Sequence, residues 1–291
     1  MAGPSERRDE EEPLSGRELP PLPAAPPPHA AALPQRVPAD RDTRRGWQML
    51  ACFVIAEIVF VVTSVMTVLP FLLAAPHPGP VTRLPGAALV AALAIPPAVA
   101  AVVAASCAAL AGRGSLADRL RDQLSVRWRP SDVGIGLALG VVGLAVTVPA
   151  SALWARWVGE SQANSAVGEV FHGQRLSVGW AITLFVGVWL VAPLGEELLY
   201  RGVLWRAMEY RGWNRWVIAG LTTVLFALAH PLFSGSHVEL LRSPLLVVIT
   251  LPIALARLLT GNLLASIIAH QANNFLPAIG LLLLTLGAAP S

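Results

Sequence analysis

Gly86-Ala87-Ala88-Leu89-Val90-Ala91-Ala92-Leu93-Ala94-Ile95-Pro96-Pro97-Ala98-Val99-Ala100-Ala101-Val102-Val103-Ala104-Ala105-Ser106-Cys107-Ala108-Ala109-Leu110-Ala111 contains no Asp, Glu, Lys, Arg or His. About 20 helical residues cross the roughly 30 Å hydrocarbon core of a bilayer, so this stretch is long enough to span one. Working outward, similar apolar stretches recur at 47–75, 132–154, 179–205, 216–233, 243–259 and 262–287. The expected fold is therefore all-α: a polytopic integral membrane helix bundle of about seven spans. The stretches at 216–233 and 243–259 are short, and Pro252 interrupts the latter, so tilted, kinked or partly re-entrant helices are expected there.

Composition agrees. Of 291 residues, 55% are apolar and only 13% are charged, against about 25% charged in soluble domains. That excludes an ordinary soluble enzyme. The net charge of +3 is too small to argue for a nucleic-acid partner, and every basic residue is Arg. Cys52 and Cys107 both lie inside apolar runs, so no disulfide framework is indicated.

Residues 1–46 differ from the rest. They hold 10 of the 25 prolines, eight acids and seven arginines. The run Pro20-Pro21-Leu22-Pro23-Ala24-Ala25-Pro26-Pro27-Pro28 cannot be helical. A disordered Pro-rich tail is expected at 1–46, N-terminal membrane helices at 47–154, and a functional core at 179–287.

Arginines near span ends give the orientation. With the N-terminus in the cytoplasm, 12 arginines fall inside and four outside, among the former Arg113, Arg119, Arg121, Arg127, Arg129 and Arg257. The expected location is the cytoplasmic membrane, multi-pass. Trp128, Trp154, Trp157, Trp180, Trp213 and Trp216 fall near span ends, where an aromatic belt belongs.

Charge at the bilayer centre costs about 2.5–3.5 kcal/mol on insertion scales and marks function or pairing. Six ionisable residues stand deep in the spans: Glu57, Glu196, Glu197, Arg201, His230 and His270. Glu197 and Arg201 are four apart and share a helix face, so they can pair. Glu196 is turned by about 100° from Glu197 and points elsewhere. Phe226 and His230 are one turn apart. So are His270 and Asn274, with Asn273 turned away. Each pattern also has a structural reading: a salt-bridge cluster, a His bonded to a backbone carbonyl, an interhelical hydrogen-bond pair. Taken together, a carboxylate, two imidazoles and an amide suit activation of water and stabilisation of an oxyanion. Two His and a Glu also suit a catalytic zinc. HExxH and Gly-x-Ser-x-Gly are absent. Glu57 is expected to be structural or to line the cavity. His29, His77, His172 and His237 fall in the tail or in outer loops.

Counted from the inner span ends, Glu196 and His270 lie about 12–13 Å deep, and His230 about 21 Å. That mismatch is left open by the sequence.

The order EExxxR, FxxxH, HxxxN on late apolar helices resembles the CAAX-processing and bacteriocin-processing endopeptidases, the CPBP or Abi family. The likeness spans about 179–287, and the string Glu196-Glu197-Leu198-Leu199-Tyr200-Arg201-Gly202 resembles the family's first motif. It implies an intramembrane endopeptidase acting on membrane-embedded or lipid-anchored proteins or peptides. By this resemblance Glu196 and His230 activate the water, and His270 and Asn274 complete the pocket. Glu197, Arg201 and Phe226 support them. The resemblance leaves open both a metalloprotease, with zinc on Glu196, His230 and His270, and a metal-independent mechanism. The alternatives from other classes are a non-proteolytic membrane scaffold and a transporter or proton relay using the same polar cluster.

Overall fold

The computed structural model describes residues 42–74, 84–159, 166–234 and 237–287. The Pro-rich tail up to residue 41, with its expected disorder, and His77 lie outside the described residues. All described residues fall in one compact unit, and every regular element among them is helical. The polytopic all-α membrane architecture is as expected.

Among the described residues, six helices are long and apolar enough to cross a membrane. They are α1 (Thr43–Ala74), α2 (Gly86–Ala111), α4 (Pro130–Val158), α6 (Val178–Tyr210), α8 (His237–Thr260) and α9 (Leu263–Leu286). The seventh stretch is α7 (Arg215–Ser234), whose apolar part, Arg215–Pro231, is shorter. Helix α8 is longer than its apolar stretch suggests, because the segment from His237 to Arg242 is helical as well. Neither Pro244 nor Pro252 ends it, and Pro231 lies inside α7.

Two short helices were not anticipated. Helix α3 (Leu116–Leu124) is amphipathic, and the Ser115 hydroxyl caps it by accepting from the Asp118 N–H. Among its many arginine neighbours this reads as a loop. Helix α5 (Ala166–Phe171) is barely more than a turn.

Helix α6 is central, packing against α1, α2, α7 and α9. It is not a uniform α-helix. Gly187–Val191 and Leu198–Leu204 are π-helical, and they bracket the α-helical turn Ala192–Glu197. Such wide turns are rare and concentrate at functional sites. Helix α4 lies against α9 through Gly136 and Gly140, where an added Cβ would meet the Ala265 O at 2.6 Å and the Ala272 Cβ at 2.5 Å. Small residues four apart allow this close approach of membrane helices.

Two end-of-span expectations change. Trp154 is buried, edge-on to Trp157, instead of sitting in a belt. Arg257 is 1% exposed. Its Nε donates to the Arg201 O at 3.2 Å and its Nη1 to the Gly261 O at 2.6 Å. It therefore serves packing inside the bundle. In the polar last turn of α8, sequence position alone could not separate these roles.

Candidate active site

Four helices bring the polar groups together. The two glutamates of α6 part company, as their angular offset requires. Glu197 is fully buried, and its Oε1 takes Arg201 Nη1 at 3.0 Å and His270 Nδ1 at 2.9 Å. The carboxylate fixes the His270 tautomer, because Nδ1 must carry the proton to donate. The His270 Nε2 is left 3.6 Å from Glu196 Oε2, beyond hydrogen-bond length. The Glu196 side chain is 27% exposed. One carboxylate is thus locked in a buried triad with Arg201 and His270, and its neighbour is open.

Phe226 of α7 lies between the groups. Its ring centroid is 4.6 Å from that of His230 and 5.8 Å from that of His270. The Arg201 guanidinium sits over it at 4.8 Å. Both imidazoles touch one ring, so the depth mismatch counted along the sequence closes. The His230 Nδ1 lies 2.9 Å from the Phe226 O. Donation to that carbonyl leaves Nε2 with its lone pair outward.

The amides divide as the spacing predicts. Asn273 turns to α4, where Thr147 Oγ1 donates to its Oδ1 at 3.1 Å. Asn274 Nδ2 donates to the Val188 O, in the first π segment, over a long 3.5 Å.

Tyr200 and Glu57 complete the surroundings. The Tyr200 ring meets Phe226 edge-on at 5.3 Å. Glu57, from α1, lies beside the Tyr200 hydroxyl, with Glu196 and His230 as further neighbours. Tyr200 was not among the expected site residues. Its signal lay inside the quoted motif string, where it reads as one more apolar position.

Residues 178–276 match the family described as type II CAAX prenyl endopeptidase Rce1-like. This match supports the resemblance of the segment to the CPBP family of CAAX-type endopeptidases. Over 96 residues the chain is also 30% identical to an uncharacterized 24.3 kDa protein of Escherichia coli. That match covers 33% of this chain and 42% of the relative, so the chain spans under half the length of that protein. No solved structure matches. The CPBP segment holds Glu196, Glu197, Arg201, Phe226, His230, His270 and Asn274, and it leaves out Glu57 and all of α1.

Among the described residues, no three His, Cys, Asp or Glu side chains are placed to hold a metal ion. Both His270 nitrogens face carboxylates and one His230 nitrogen faces a backbone carbonyl. No step below is routed through a zinc.

Proposed function

We propose that this chain is an intramembrane endopeptidase hydrolysing a peptide bond of a membrane-associated protein or peptide, with Glu196 as the base. One observation carries the reading. Of two adjacent intramembrane glutamates, Glu197 is fully buried and paired, while Glu196 is partly open and faces an imidazole. A structural salt-bridge cluster has no use for the second carboxylate, which is costly to insert.

Glu196 takes a proton from water as the water oxygen adds to the scissile carbonyl carbon. The lone pair on the His230 Nε2 accepts the water's other hydrogen and orients it, and the lone pair on the His270 Nε2, which faces Glu196, accepts from that carboxyl once it is protonated. The Asn274 amide, weakly engaged with the Val188 O, turns its N–H to the carbonyl oxygen as negative charge develops there. The proton on Glu196 then passes to the departing nitrogen as the C–N bond breaks. Glu197, Arg201 and Phe226 hold the two imidazoles. The reaction proposed needs no metal.

The test compares protein termini by mass spectrometry in membranes from cells expressing the wild-type chain or Glu196→Ala, His230→Ala or His270→Ala. New termini present with wild type should be lost with Glu196→Ala, a fall of about 100-fold or more in rate. Unchanged termini in all three variants would leave the scaffold reading. Solute or proton flux in proteoliposomes without cleavage would leave the transporter. Exhaustive chelation should not reduce the rate; a loss that zinc restores would return a metal to the mechanism.

A further inference from the structure

A line of rings leads from the candidate active site to α1. Phe53 meets Tyr200 edge-on, with centroids 5.4 Å apart and planes at 77°. Tyr200 meets Phe226 in the same manner at 5.3 Å and 88°. Phe226 in turn carries His230 and His270. Edge-to-face pairs contribute beyond the area they bury and fix relative orientation.

Glu57 follows Phe53 by four residues, so both project from one face of α1. That register places Phe53 against the Tyr200 ring and the Glu57 carboxylate at its hydroxyl. The Glu57 Oε1 is buried and has no hydrogen-bond partner among the described residues. Leaving such an atom unpaired is costly. A carboxylate held there for stability alone would be better replaced by an apolar side chain.

We infer that Glu57 and Tyr200 form a positioning arm that reaches from α1 into the site. Glu57 accepts from the Tyr200 hydroxyl and fixes the ring, Tyr200 fixes Phe226, and Phe226 sets the planes of both imidazoles. The arm lies half outside the CPBP segment, so the site of this chain is completed by a helix that the family match does not reach. Neither residue contacts the reacting atoms. The inference rests on the proposed hydrolysis for its kinetic readout.

The experiment uses the full chain in proteoliposomes with a quenched-fluorescent transmembrane peptide that wild type cleaves. Glu57→Leu removes the acceptor, Tyr200→Phe removes the donor and keeps the ring, and Glu57→Gln keeps an acceptor. Glu57→Leu and Tyr200→Phe should each lower kcat by about 10-fold or more, as misplacement of catalytic groups does. KM should stay within about threefold, because substrate binding is not touched. Glu57→Gln should restore most of kcat. The double variant Glu57→Leu/Tyr200→Phe should be no worse than either single, because the two act as one unit. In parallel, the imidazole nitrogen NMR signals of His230 and His270 should move in Glu57→Leu and not in Glu57→Gln.

Wild-type kcat and unmoved imidazole signals in Glu57→Leu would overturn the arm, as would a Glu57→Gln as impaired as Glu57→Leu. Glu196→Ala runs alongside. If Glu196→Ala still cleaves, the assignment of Glu196 as the base fails and the imidazole signals alone decide the arm. If Glu196→Ala is inactive and Glu57→Leu is not, the arm alone fails.

Discussion

Glu197 shows how one buried carboxylate oxygen can organise several helices. Its Oε1 accepts from Arg201 on its own helix and from His270 on α9. Removing one partner strands a buried charge, which typically costs about 3–5 kcal/mol, whereas replacing the whole pair by apolar groups is often neutral. Arg201→Leu should therefore lower thermal stability in detergent sharply, and Glu197→Leu/Arg201→Leu should recover most of it. Cleavage should stay lost in the double variant, because His270 no longer has the acceptor that fixes its tautomer. A double variant that cleaves like wild type would show that the triad is only structural. At this scale the sequence was informative. The four-residue spacing of Glu197 and Arg201 and the angular offset of Glu196 foretold which carboxylate would be tied down. The tie from Glu197 to His270 was not foretold, since spacing within one helix says nothing about what a distant helix presents.

Helix α6 meets its neighbours through a close fit at the residue before the glutamate pair. A Cβ on Gly195 would stand 2.5 Å from the Pro97 O of α2, a backbone atom that cannot swing away. Gly195→Ala should cost about 1–3 kcal/mol as an overpacking substitution, and cleavage should fall with it as Glu196 is displaced. Gly220→Ala on α7, where an added Cβ meets nothing within 4 Å, should be neutral or stabilising by up to about 1 kcal/mol. Thermal unfolding of both variants, with cleavage assayed on each, checks the contrast. Elements longer than 20 apolar residues were legible from the sequence, because hydrophobic length is a strong and local signal. The π-helical turns were not, since nothing in Gly187–Val191 or Leu198–Leu204 departs from ordinary helical composition. Helix α3 was hidden by its own arginines.

For the whole molecule, the distribution of arginines sets the expected orientation, with Arg113 and α3 with its Arg119 and Arg121 on the cytoplasmic side. In a Cys52→Ala/Cys107→Ala background, a cysteine placed at Ser115 should react with an impermeant maleimide only after the cell is opened. One placed at His172 should react in intact cells. The opposite pattern would invert the assignment. Arg257 shows that such counting tolerates a misassigned member: one buried arginine among 12 hardly alters the asymmetry. The two π segments of α6 carry a last consequence. Each wide turn holds more residues than the α-helical 3.6, so the glutamate pair sits between two stretches of slack in the thread. A one-residue deletion usually ruins a packed helix by rotating everything beyond it. Here a deletion within Leu198–Leu204 could be taken up as an ordinary turn, leaving a bundle that folds while Arg201 swings off its partner. Such a shortened chain would uncouple assembly from chemistry.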